Sequence, residues 1–105
     1  MNPEALQLAS SEASSLLRKL ANPDRLLILC ALAKQELNVG QLFELCQIAQ
    51  PTLSQQLAVL RNEGLVQVRR EGKYMFYSLH HPDVLFLMQT LYQIYCAPKE
   101  AQDEY

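Results

Sequence analysis

At 105 residues, half of them hydrophobic and 19% charged, the chain has the composition of one small globular domain, and no apolar run reaches the ~18 residues that a membrane span requires. A formal net charge of −2 excludes a uniformly basic nucleic-acid binder, so a role on DNA must rest on a local cationic face. Met1 to Ser15 has neither the basic start nor the apolar core of a signal peptide, and the three cysteines form no CxxC pair, which points to a cytoplasmic chain carrying thiols rather than a secreted disulfide scaffold.

From Pro3 to Leu20, Leu6, Ala9, Ala13, Leu16, Leu17 and Leu20 recur at three- and four-residue steps, the pattern of an amphipathic helix. Asn22-Pro23 then supplies a cap and a first-turn proline for a second helix to about Lys34. Its LLILCALA stretch, with Cys30 at its middle, is apolar nearly all round and belongs at the centre of a small core. Asn38 and Gln41 have capping-box spacing and open a short third helix from Val39 to about Cys46, with Leu42, Leu45 and Cys46 read as inward.

A fourth helix opens near Gln50 and Pro51. Leu53, Leu57 and Leu60 form its anchoring stripe, while Thr52, Ser54, Gln55 and Gln56 lie mostly off it. Two short helices joined so closely, the second polar outside, make a helix-turn-helix. Gly64 stops the helix, and two strands, Val66 to Arg70 and Tyr74 to Leu79, flank Glu71-Gly72-Lys73 as the turn. Tyr74, Phe76 and Tyr77 are expected to cover the core. Pro82 opens a last helix carrying Val84, Leu85, Met88, Leu91, Tyr92 and Tyr95 at helical spacing. The predicted fold is therefore mainly α with a two-stranded β-hairpin wing, a winged helix-turn-helix. It occupies residues 1–97 as one domain, followed by a short acidic, frayed tail at 98–105.

Such a unit reads duplex DNA by placing its second helix in the major groove. Gln55 and Gln56 are the candidate base readers, glutamine being able to pair bidentately with adenine, and Thr52 and Ser54 can bond a base or a phosphate. Arg61, Arg69, Arg70 and Lys73 are the candidate phosphate contacts, with Arg69 and Arg70 on opposite faces of their strand. Against Glu63 and Glu71 they leave residues 50–79 at a local +2, so binding should weaken markedly with salt.

The order of these elements, together with NPDRLLIL, LSQQLAVLRNEGLV and REGKYMFYSL, resembles the ArsR/SmtB family of winged-helix repressors over roughly residues 16–96. The resemblance implies a homodimer through the first and last helices, bound to a palindromic operator in double-stranded DNA and released by an inducer. Two metal sites of that family are incomplete here. Asn38 and Gly40 stand where one needs a CxC run. His81 and Asp83 match the first half of the other, but Ile94 and Ala97 replace its second half, so neither a metal nor another cofactor is expected. Cys30 in the second helix and Cys96 at the end of the last resemble instead the sulfide- and redox-sensing branch, the BigR-, SqrR- and HlyU-like repressors. That implies a redox- or persulfide-sensing pair closed as a disulfide or polysulfide bridge, with Lys34, one turn after Cys30, favouring the thiolate. Two alternatives stay open: a thiophilic metal ion as inducer, and a winged helix used as a protein-interaction module. No grouping of nucleophile, base and orienting residue suggests an enzyme.

Overall fold

A computed structural model describes residues 2–103 of the chain. Its first helix, α1 (Pro3–Leu20), starts where the Asn2 side chain accepts the Glu4 amide at 2.8 Å, and the second, α2 (Pro23–Leu32), repeats the device with Asn22 and the Asp24 amide at 2.9 Å. The third helix, α3 (Val39–Cys46), has the full capping box: Asn38 and Gln41 exchange side-chain bonds to each other's backbone amides, both at 2.9 Å. The fourth, α4 (Thr52–Asn62), begins just after Pro51, with the Gln50 side chain accepting the Ser54 amide at 3.0 Å. Gly64, at φ +74°, then terminates it. An added Cβ would meet nothing within 4 Å, so backbone conformation rather than space calls for glycine there.

The sheet holds one strand more than expected. Leu37–Asn38 forms a two-residue strand, β1, which pairs antiparallel with the wing, itself made of β2 (Val66–Glu71) and β3 (Tyr74–Leu79), giving the order β1-β3-β2. Register pairs Arg69 with Phe76 and Glu71 with Tyr74, so Glu71 belongs to the strand and the turn is the two residues Gly72-Lys73. Gly72, at φ +60°, supplies the left-handed backbone that such a tight hairpin needs.

Leu53, Leu57 and Leu60 of α4 meet Ile28, Leu29 and Leu32 of α2 in a single core, which β1 closes with Leu37 and the fifth helix, α5 (Pro82–Leu91), with Val84 and Met88. No polar side chain is fully buried among the described residues. Leu42 and Cys46 face inward as expected, but Leu45 is 60% exposed: α3 is short and meets the core along one edge only. Tyr77 packs on the core, whereas Tyr74, beyond it at the wing tip, is 51% exposed.

The chain continues helically past α5. A π-helical turn over Tyr92–Cys96 leads into α6 (Ala97–Asp103), so the frayed tail expected from Ala97 is helical as far as Asp103. The wider turn precedes Pro98, whose missing N–H would interrupt a regular α ladder. Glu104 and Tyr105, also part of that expected tail, lie outside the described residues. At the other end only Leu20 of α1 is buried, and Leu6, Leu8 and Leu17 are more than half exposed. The radius of gyration is accordingly 15.6 Å, against about 13 Å for a compact chain of this length.

Candidate DNA-reading surface and thiol cleft

The buried leucines of α4 turn its opposite side outward. Ser54, Gln55 and Arg61 are exposed, with Gln55 farthest from the core side, while Thr52 and Gln56 sit half-buried on one flank. Gln56 is also engaged: its Oε1 accepts from Arg25 Nε at 2.9 Å. Arg25, at the start of α2, carries no signal in the sequence. Its partner lies 31 residues away, and no local pattern announces such a contact.

The wing separates its two arginines as strand alternation requires. Arg69 lies on the Phe76 side, 4.9 Å from that ring. It donates to both carboxylate oxygens of Glu36, at 3.2 and 2.6 Å, and to Glu71 at 2.6 Å. These carboxylates hold the guanidinium well above its ordinary pKa, and Arg69 in turn holds Glu36 below the usual carboxylate range. Its charge is thus already matched within the chain. Arg70 extends from the other side and makes one long bond, from Nε to the Gly72 carbonyl at 3.4 Å, and Lys73 stands at the exposed turn beside the Tyr74 ring. Elsewhere Glu63, one of the two acids that offset the local cations, pairs with Lys19 of α1 at 3.3 Å.

The second candidate site lies between α2 and α5. All three cysteines are free thiols. Cys30 is half-buried, and its Sγ stands 3.6 Å from the Met88 sulfur. Beside it opens a cleft of about 140 Å³ lined by Cys30, Lys34, Met88, Gln89 and Tyr92. Lys34 Nζ caps this cleft 4.1 Å above the Tyr92 ring, and Tyr92 also bonds Glu100. One helical step beyond Tyr92 is Cys96, also half-buried, at the end of the π turn.

Burial pushes the Cys30 thiol above its ordinary pKa, and an ionised Cys96 raises it further. Lys34 lowers it, as the sequence suggested, but desolvation is the largest influence, so the expected net preference for thiolate is not found. Cys46 is buried, with its Sγ 3.9 Å from the Leu27 carbonyl, and its thiol too is raised by burial. His81 and Asp83 both border a groove beside α1, but among the described residues no group of three His, Cys, Asp or Glu side chains is placed to hold a metal ion.

Comparison with known proteins agrees with this architecture. Residues 22–68 match the arsR family of bacterial regulatory proteins. A biofilm growth-associated repressor from Agrobacterium fabrum is 47% identical over 96 residues, covering 91% of this chain and 82% of that protein. The crystal structure of the transcriptional repressor BigR from Xylella fastidiosa superposes with a TM-score of 0.83 at 42% identity, over 92% of this chain and 99% of that one. Reduced HlyU from Vibrio cholerae gives 0.82 at 40% identity, over 89% and 98%.

Proposed function

Because this chain belongs to the ArsR family of winged-helix transcriptional regulators, we propose that it is a cytoplasmic, homodimeric repressor that releases a palindromic operator when Cys30 and Cys96 are oxidised together. The observation that carries the reading is the thiol cleft: two half-buried cysteines on packed elements, coupled strongly enough for one thiolate to raise the other's pKa, with an opening beside Cys30. Repression is what the Agrobacterium and Xylella relatives are named for, and the HlyU structure is specified as reduced.

The chemistry is a two-electron oxidation. A peroxide or polysulfide takes the electron pair as the Cys30 and Cys96 thiols lose two protons and join through one or more sulfur atoms. Because burial keeps Cys30 protonated near neutral pH, the less buried attack route through the cleft governs the rate. The bridge would tie α2, which backs α4, to the end of α5. Two recognition helices must sit about 34 Å apart to fill successive major grooves, so a small change in that geometry loosens both half-sites at once.

Gln55, Ser54 and Thr52 would face the bases, and Arg61, Arg70 and Lys73 the phosphates. Arg69, held by Glu36 and Glu71, would contribute by stiffening the wing. The test is operator binding before and after polysulfide or peroxide, with mass spectrometry of the product. A Cys30 to Cys96 link, loss of binding and recovery with a reductant are expected; a Cys96→Ser chain that keeps full sensitivity overturns the mechanism.

A further inference from the structure

Arg25 joins three elements. Its own amide is capped by Asn22 at the start of α2, its Nη1 donates to the carbonyl of Lys19 in the last turn of α1 at 3.1 Å, and its Nε donates to Gln56 Oε1 on α4 at 2.9 Å. The Lys19 side chain closes a second link, to Glu63 just past the end of α4. A guanidinium has donors only, so the Gln56 amide must turn its oxygen inward, whatever else surrounds it.

We propose that Arg25 is a positioning residue that sets the base specificity of Gln56, holding the amide oxygen so that only the amide N–H2 can be offered to DNA. The inference rests on the reading that α4 enters the major groove. Bidentate pairing with adenine needs both the oxygen and the nitrogen of glutamine, so the pairing suggested by the sequence is closed to Gln56 in this geometry. Two donors alone match acceptors: O6 and N7 of guanine, or O4 of thymine. The bond to the Lys19 carbonyl keeps the guanidinium from following Gln56 outward, because Arg is a rigid fork and both of its engaged arms are fixed.

The experiment selects duplexes from a randomised pool with the full-length chain and with Gln56→Ala, Arg25→Met and Arg25→Ala. The position read by Gln56 is the one whose preference Gln56→Ala erases. The expected base there is guanine or thymine for the wild type, moving toward adenine in both Arg25 variants, whose freed amide regains its acceptor. Affinity of the Arg25 variants for the wild-type operator should fall about tenfold, the scale of one lost base contact, with an unrelated duplex changed less than about twofold.

Arg25→Met keeps the apolar stem while removing every donor, so it separates positioning from packing. Should both Arg25 variants fail to fold, the base identified by Gln56→Ala still decides: guanine or thymine supports the proposal and adenine overturns it. An unchanged preference in folded Arg25 variants, or a Gln56→Ala chain that loses no preference, also overturns it. A wild-type chain that selects no sequence at all removes the DNA-reading function itself, a different result from losing this inference alone.

Discussion

The Cys30 thiol donates to the Met88 thioether across 3.6 Å, sulfur to sulfur, at the contact of α2 with α5. Met88 is almost wholly buried and Cys30 only half, so the thiol has a soft, fixed acceptor on its inner side and an open cleft on its outer side. Both the protonation and the packing of the proposed sensor depend on this pair.

Alkylation should report the protonation directly. Burial raises Cys30 above the 9.0 of a free thiol, so folding favours the neutral form. This contribution to stability is complete below the free-thiol pKa and is lost as pH rises through the higher folded value, in the alkaline range above about pH 9. At pH 8 Cys30 should react with iodoacetamide more slowly in the native chain than in urea, with the native rate still climbing beyond pH 9. Peptide mapping of timed samples measures this; a native Cys30 that reacts as fast as the unfolded one contradicts the assignment.

Replacing Met88 separates its packing from its sulfur. Met88→Leu nearly conserves volume and should cost less than about 1.5 kcal/mol, whereas Met88→Ala should cost about 2–5 kcal/mol. In Met88→Leu the thiol loses its acceptor, which removes a bond to the protonated form and should speed Cys30 alkylation at a fixed pH. Urea unfolding and the same peptide mapping check both arms. Equal alkylation rates in wild type and Met88→Leu would mean that the sulfur contact does nothing for reactivity.

The two arginines of the wing should differ in their salt signatures. Arg70→Ala or Lys73→Ala removes a cation facing outward, and each should lower the slope of log affinity against log salt by about 1 per protomer. Arg69→Ala should change that slope much less, because Glu36 and Glu71 already match its charge. Titration of operator binding across a range of salt concentrations distinguishes them. A larger slope change for Arg69 than for Arg70 would make Arg69 the phosphate contact and Arg70 the idle cation.

This contrast between neighbours shows which parts of the molecule local sequence can report. The caps at Asn22 and Asn38, the α4 leucines and the glycine turns are set by residues within a few positions of one another, and all are legible as spacing. The strand Leu37–Asn38 has no pattern of its own, because it exists only through pairing with Phe76 and Tyr77. Arg69 looks like a DNA contact until Glu36, 33 residues earlier, is seen beside it, and Gln56 looks like a free reader until Arg25 is. Cys30 and Cys96 meet as candidates only through resemblance to a family. Leu45 is exposed despite its inward spacing, because helical spacing tells which residues share a face, not how much of that face the core reaches.

Dimerisation gives the remaining prediction. Between the end of α1 and α5 runs a groove of about 290 Å³ lined by Leu17, Leu20, Ala21, Leu26, Leu87, Thr90 and Leu91. The Thr90 hydroxyl is turned to the Phe86 carbonyl at 2.9 Å, which leaves the groove an apolar wall. Leu17 is 55% exposed at its edge, and Leu6 and Leu8 continue the uncovered apolar surface along α1. A second copy covering this face accounts for both the groove and the extended α1, and it supplies the second recognition helix that a palindrome requires. Leu17→Glu places a charge on the edge of that wall while leaving the buried core of the protomer untouched. The expected result is a folded monomer by sedimentation whose operator affinity falls on the order of a hundredfold, since each half-site must then be bound without the effective concentration of its partner. A Leu17→Glu chain that stays dimeric and binds at full strength would place the interface elsewhere on the surface.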